Sequence, residues 1–112
     1  PPIVLKDRVI FTSENGVVHA ATLRERSLFY RYYTYSKISA PVSHRAGILY
    51  VATQDFNLFA VDAMTGETVW RFAAGFPIHC QPVPFADEVL LTPEGGGLFS
   101  IGAGDGEVRW VN

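Results

Sequence analysis

Apolar residues along this chain come in short runs, each cut off by a turn signal after four to six residues. Ile48-Leu49-Tyr50-Val51 is one run, Leu58-Phe59-Ala60-Val61 another, and between them lies Gln54-Asp55-Phe56-Asn57. Runs of that length, rich in β-branched and aromatic residues and bounded by Gly, Asn and Asp, are strand signals. The spacing gives four strands in the middle of the chain. The first surrounds Pro41-Val42, the second is Ile48 to Thr53, the third Leu58 to Asp62 and the fourth Thr68 to Phe72. The turns fall at Arg45 to Gly47, Gln54 to Asn57 and Ala63 to Gly66. No stretch carries helical spacing without a Gly or Pro breaking it.

The same pattern recurs every 40 residues. Leu49-Tyr50-Val51-Ala52-Thr53 aligns with Val9-Ile10-Phe11-Thr12-Ser13 and with Val89-Leu90-Leu91-Thr92-Pro93. Leu58-Phe59-Ala60 aligns with Val18-His19-Ala20 and Leu98-Phe99-Ser100, without a gap. Turns with equivalent placement carry Asn15-Gly16 and Gly95-Gly96-Gly97, and the Asn-Gly pair predicts a type I′ hairpin with positive φ at both residues. A four-stranded sheet of this size cannot bury both faces alone, so it stacks on copies of itself. Inner strands apolar on both faces, such as Val9-Ile10-Phe11, are what face-to-face stacking requires. The fold class expected is all-β: three four-stranded antiparallel blades of a β-propeller, with blades at 1–39, 40–79 and 80–112. Three blades fall short of the roughly four to eight in a closed ring. The chain is therefore expected to be part of a larger propeller or, failing that, to assemble by self-association.

The middle repeat reads Ala60-Val61-Asp62-Ala63-Met64-Thr65-Gly66-Glu67-Thr68-Val69-Trp70. This resembles the tryptophan-docking motif, A-x-D-x-x-x-G-x-x-x-W, of the propellers built on pyrroloquinoline-quinone (PQQ)-like repeats. Ala60, Asp62, Gly66 and Trp70 match all four marked positions. The third repeat keeps Gly106 and Trp110 but has Ser100 and Gly102 at the other two; the first keeps Ala20 and has Thr22, Arg26 and Tyr30. The chemistry is coherent: a small residue leaves room for an indole, glycine takes the turn, aspartate accepts from turn amides, and the ring glues one blade to the next. Trp70 and Trp110 are expected to be buried between blades. Trp-Asp and Gly-His dipeptides, marks of another 40-residue propeller repeat, do not occur.

The resemblance implies function in two directions. BamB-like members of this family are non-enzymatic, and their partners dock on loops at one end of the ring. That reading gives a protein-binding or scaffold module with a protein partner, in which the loops 54–57 and 74–78 are candidates. Quinoprotein dehydrogenases are the alternative; they hold PQQ beside calcium and often carry a disulfide between adjacent cysteines. Here Cys80 is the only cysteine and is flanked by His79 and Gln81. No catalytic, cofactor or metal residues are predicted, and the dehydrogenase reading places its site in other blades. A third reading is a ligand-sensing domain of a signalling protein. Family habit implies a periplasmic or extracellular location.

Composition removes some function classes. The chain has 112 residues, 48% of them hydrophobic, and a formal net charge of −2, which gives no basic field for nucleic acid. No apolar run approaches the roughly 18 residues of a membrane span. Pro1-Pro2 leads straight into a strand-like segment, so no leader is expected in these residues. Gly102-Ala103-Gly104-Asp105-Gly106 lacks the helix that a phosphate loop requires and reads as a blade turn. His79-Cys80 lacks nearby ligands for zinc, and Cys80 is expected to be a small buried residue. The segment Phe29-Tyr30-Arg31-Tyr32-Tyr33-Thr34-Tyr35 is the densest aromatic stretch. Tyr30 takes the docking position, while Tyr32, Tyr33 and Tyr35 are candidates for a partner surface as well as for packing between outer strands.

Overall fold

A computed structural model describes residues 2–93 and 96–112. Its strands are β1 (Ile3–Leu5), β2 (Arg8–Thr12), β3 (Val17–Thr22), β4 (Ser27–Tyr33), β5 (Ser43–Arg45), β6 (Ile48–Ala52), β7 (Asn57–Asp62), β8 (Thr68–Ala73), β9 (Val83–Phe85), β10 (Glu88–Leu91), β11 (Phe99–Gly102) and β12 (Val108–Val111). They form three four-stranded antiparallel meanders, β1 to β4, β5 to β8 and β9 to β12. Three stacked sheets of one repeat are the blades of a propeller segment.

Two apolar layers hold the stack. Ile10, Val18 and Ala20 of the first blade pack with Leu49, Val51, Val61 and Ala63 of the second. The opposite face of the second blade, with Tyr50, Ala52, Leu58, Ala60 and Trp70, packs with Val89, Leu91 and Ile101 of the third. Successive residues of a strand thus serve different interfaces, which is why β6 is apolar along its length. Each blade has a leading face toward the blade before it and a trailing face toward the blade after it.

The first strand of the middle blade begins later than the sequence predicts. Pro41 and Val42 precede β5, which starts at Ser43, and proline brings no N–H to a ladder. The Asn15-Gly16 turn is not type I′. Gly16 alone has positive φ, +85°, Gly16 N–H donates to Ser13 O at 3.1 Å, and Ser13 N–H donates to Val17 O at 3.0 Å. This is a type I turn closed by a left-handed residue, the three-residue hairpin alternative. The type I′ geometry occurs instead at Ala46-Gly47, where φ is +53° and +81°. Gly95 lies outside the described residues.

Strand direction sorts the loops into two ends. The β2–β3 and β6–β7 turns lie with the links 34–42 and 74–82 at one end, hereafter the link end; Gln54 N–H donates to Lys37 O at 2.8 Å and Ala74 N–H to Phe56 O at 2.8 Å there. The β3–β4, β7–β8 and β11–β12 turns, with Arg26, Gly66 and Gly106, form the opposite, docking-turn end.

Candidate functional site

The expected docking residues fall on a ladder that runs from blade to blade. Tyr30 lies opposite Ala20, Trp70 opposite Ala60 and Trp110 opposite Ser100 on neighbouring strands, and in each blade the register slips just after that small residue. Tyr30 reaches across the first interface, where its hydroxyl donates to Ala63 O at 2.9 Å. Trp70 does the same across the second, with its indole N–H donating to Ala103 O at 2.8 Å. Ala63 and Ala103 are the same repeat position, so tyrosine and tryptophan use one acceptor. Burial pushes the Tyr30 phenol up to about 12 from 10.0, with Arg8 opposing and Asp62 adding to the shift.

Glycine is needed at the turn on two counts. Gly66 has φ +78° and Gly106 φ +71°, and a Cβ on either would stand 2.6 Å from the Tyr30 ring or 2.7 Å from the Trp70 ring. Asp62 accepts from the Met64 and Thr65 amides at 2.9 and 3.3 Å. In the third blade Gly102 takes that position, and Asp105 accepts instead from the Glu107 amide at 3.0 Å.

Trp110 departs from the expectation of burial: it is 42% exposed, against 8% for Trp70. It lies on the trailing face of the last blade, and its N–H donates to Glu88 Oε1 of its own sheet at 2.9 Å. Glu88 also accepts from the Ser100 hydroxyl. Cys80, expected to be buried, is exposed, because it sits in the link before β9 and outside the ladder.

The tyrosine cluster divides. Tyr32 belongs to the first interface: its hydroxyl pairs with Thr68 Oγ1 at 2.7 Å and its ring meets Phe59 edge-on at 6.0 Å. That contact leaves Tyr32 half-buried against the second blade. Tyr33 and Tyr35 stack at 6.0 Å and are 51% and 90% exposed. Tyr35 lies in the link beyond β4, with φ +62°, where the next repeat has Gly75.

The residue the sequence reading missed is Phe56. Its φ is +69°, at the position that Gly16 and Gly96 occupy in the sister repeats. An aromatic residue standing where its repeats use glycine was the signal that could have found it. Phe56 is 42% exposed and lines a hollow of about 240 Å³ with Ser39, Gln54, Pro77, Ile78 and His79. The candidate loops 54–57 and 74–78 are thus brought together at the link end. A larger groove of about 480 Å³ runs along the inner strands, past Ile3, Phe11, Val42, Ser43, His44 and Gln81. Among the described residues, no three His, Cys, Asp or Glu side chains gather as metal ligands, and no helix is long and apolar enough to cross a membrane.

Comparison with solved structures gives the same architecture. The chain is similar to BamB from Moraxella catarrhalis, with a TM-score of 0.89 and 21% identity over 100% of this chain and 34% of that one. It is also similar to the quinohemoprotein alcohol dehydrogenase from Comamonas testosteroni, with a TM-score of 0.83 and 23% identity over 99% of this chain and 20% of that one. A europium-containing methanol dehydrogenase matches with a TM-score of 0.85 and 19% identity, over 98% of this chain and 23% of that one. The chain spans about a third of the length of the first of these and less of the others. At these identities the likeness establishes the fold, which BamB and the dehydrogenases share. No curated protein matches the chain. The model of the family described as outer membrane protein assembly factor BamB matches residues 14–112, and the chain belongs to that family of PQQ-like repeat propellers.

Proposed function

We propose that this chain is a non-catalytic, protein-binding segment of a propeller, and that its partner docks at the link end. One observation carries the reading. Tyr35 and Phe56 are exposed aromatic residues held in left-handed backbone conformations, both at the link end, and both where sister repeats use glycine. A bulky residue at such φ costs about 1–2 kcal/mol, and the solvent-facing part of each ring adds little to the fold to offset it. Two such exceptions on one end favour selection for contact with something outside the blades.

Charge distribution supports the same end. Arg24-Glu25-Arg26, Glu67, Asp105 and Glu107 crowd the docking-turn end, while described charges at the link end are few, chiefly Glu14, Lys37 and Asp55. Aromatic enrichment with charge depletion is the composition of an interface centre. Membership of a family described as an outer membrane protein assembly factor favours a protein partner in the cell envelope, hence a periplasmic location.

The test is capture of envelope proteins on the immobilised chain, read against two variants. Replacing Tyr35 and Phe56 by glycine should abolish retention of the partner, while Arg24→Ala with Glu67→Ala should leave it unchanged. Equal retention by all three would overturn the assignment. Calorimetric titration with PQQ and calcium gives the competing reading its chance: stoichiometric uptake would favour a quinoprotein dehydrogenase.

A further inference from the structure

The interface between the first two blades holds a cation that its surroundings do not satisfy. Arg8 opens β2, and its guanidinium lies over the Phe29 ring, 4.1 Å from the centroid. Its Nη1 donates across the interface to Met64 Sδ, in the β7–β8 turn, at 3.3 Å. A thioether is a weak acceptor. The Nε–H is buried without an acceptor, and among the described residues no carboxylate pairs with the group. A buried donor of this kind is costly to leave unmatched. Arg8 thus faces a sulfur atom where an oxygen would serve it better.

The pair occurs once. One repeat later the Arg8 position is Ile48 and the Met64 position is Gly104, so the second interface has neither member. A contact built only for packing would set a hydrocarbon against the methionine, as Ile48 would be. Met64 is the single methionine of the chain. It is only partly buried, and it sits in a turn beside exposed Thr65 and Glu67, so a small oxidant reaches its sulfur. Its side chain is unbranched and flexible, which lets an oxygen carried on the sulfur turn toward the guanidinium.

We propose that Met64 is a site of oxidation to the sulfoxide by hydrogen peroxide, and that Arg8 holds the product, so that oxidation strengthens the contact between the two blades. The sulfur lone pair attacks one peroxide oxygen. The S–O bond forms as the O–O bond breaks, and the departing hydroxide takes the proton of the transferred oxygen and leaves as water. Sulfur gives up two electrons and the peroxide gains them. The sulfoxide oxygen offers Nη1 a strong acceptor in place of a weak one, so the bond becomes a charge-assisted one. In an apolar core the same oxidation disrupts packing; beside Arg8 it satisfies a donor. The site lies at the docking-turn end, opposite Tyr35 and Phe56, and does not rest on the partner contact proposed there.

The experiment oxidises the 112-residue chain with hydrogen peroxide and compares thermal midpoints before and after. Cys80 is exposed, so every sample carries Cys80→Ser, and peptide masses locate the added oxygen. Met64 should take up one oxygen. The shift in Tm on oxidation should be more favourable with Arg8 present than in Arg8→Leu by at least about 4 °C, because Arg8→Leu leaves the sulfoxide without its donor. A smaller difference, or a Met64 that takes up no oxygen, overturns the proposal. Should Arg8→Leu not fold, two substitutions at the other partner decide. Met64→Gln supplies a permanent oxygen acceptor and Met64→Leu supplies none. Met64→Gln should melt higher, and an equal or higher midpoint for Met64→Leu overturns the proposal.

Discussion

The Trp70 indole lies flat against the backbone of Gly106, so close that a single added methyl carbon would stand 2.7 Å from the ring. The glycine is there for space as well as for its φ of +71°. Gly75 separates the two causes, since its φ is +76° and a Cβ there meets nothing within 4 Å. Gly75→Ala should cost about 1 kcal/mol, from left-handed strain alone. Gly106→Ala should cost a further 1–3 kcal/mol or so, because the indole must move out of a packed interface. Urea denaturation of both variants measures the difference, and equal costs would show that the ring does not depend on the glycine.

The two tryptophans should behave differently despite identical positions in their repeats. Trp70→Ala removes a buried ring from between two blades and should cost about 3–5 kcal/mol. Trp70→Phe keeps most of the apolar contact but loses the hydrogen bond to Ala103 O, a cost of about 1–2 kcal/mol. Trp110→Ala, at a half-exposed ring paired only within its own sheet, should cost under about 1 kcal/mol in the monomeric chain. If Trp110→Ala proves as damaging as Trp70→Ala, the two rings occupy equivalent environments and the third blade's trailing face is covered.

The periodic part of this architecture was legible because repetition is a property of spacing. Gly66 and Gly106, Ala20 and Ala60, and the runs at Val9, Leu49 and Val89 fall in register along the chain, and their sheets follow that register. What was not legible depends on contacts that spacing does not encode. Nothing in Trp110 says that Glu88 holds its N–H, because the pairing reaches from β12 across β11 to β10. Tyr32 and Tyr33 are adjacent and identical, and only the neighbouring blade's Phe59 and Thr68 decide that one is half-buried and the other exposed. Asn15-Gly16 carries a strong type I′ signature, but the hairpin closes through Ser13 and Val17 with one left-handed residue rather than two.

Tyr30 predicts a loss of stability in alkali. Its phenol is pushed up to about 12 in the folded chain, chiefly by burial, from an ordinary 10.0. Between those values the unfolded chain has released the proton and the folded chain has not, so the unfolded state is favoured increasingly as pH rises. The contribution is fully present below about pH 10, falls from pH 10 to 12 and levels off above that. Tyr50, raised by its own burial, adds to the same slope. Tyr30→Phe should lower stability at neutral pH by removing the bond to Ala63 O, while flattening the decline between pH 10 and 12. Denaturation midpoints at several pH values check this, and parallel curves for both proteins would mean that Tyr30 ionises as freely folded as unfolded.

Tyr35 offers the sharpest separation of stability from function. At 90% exposure it contributes little beyond its stack on Tyr33, yet its backbone is held at φ +62°. Glycine at that position, as Gly75 shows one repeat later, takes the same conformation without the Cβ penalty. Tyr35→Gly should therefore leave the fold unchanged or stabilise it by up to about 1 kcal/mol, the relief of left-handed strain less the added backbone entropy of glycine. It should at the same time weaken capture of the protein partner. Such opposite signs are what a strained binding residue gives: the substitution that suits the fold harms the contact. Thermal melts alongside partner retention decide the matter. A variant that is less stable than the parent would mean that Tyr35 is a structural residue after all, and one that is more stable and still retains the partner would move the docking surface away from this link.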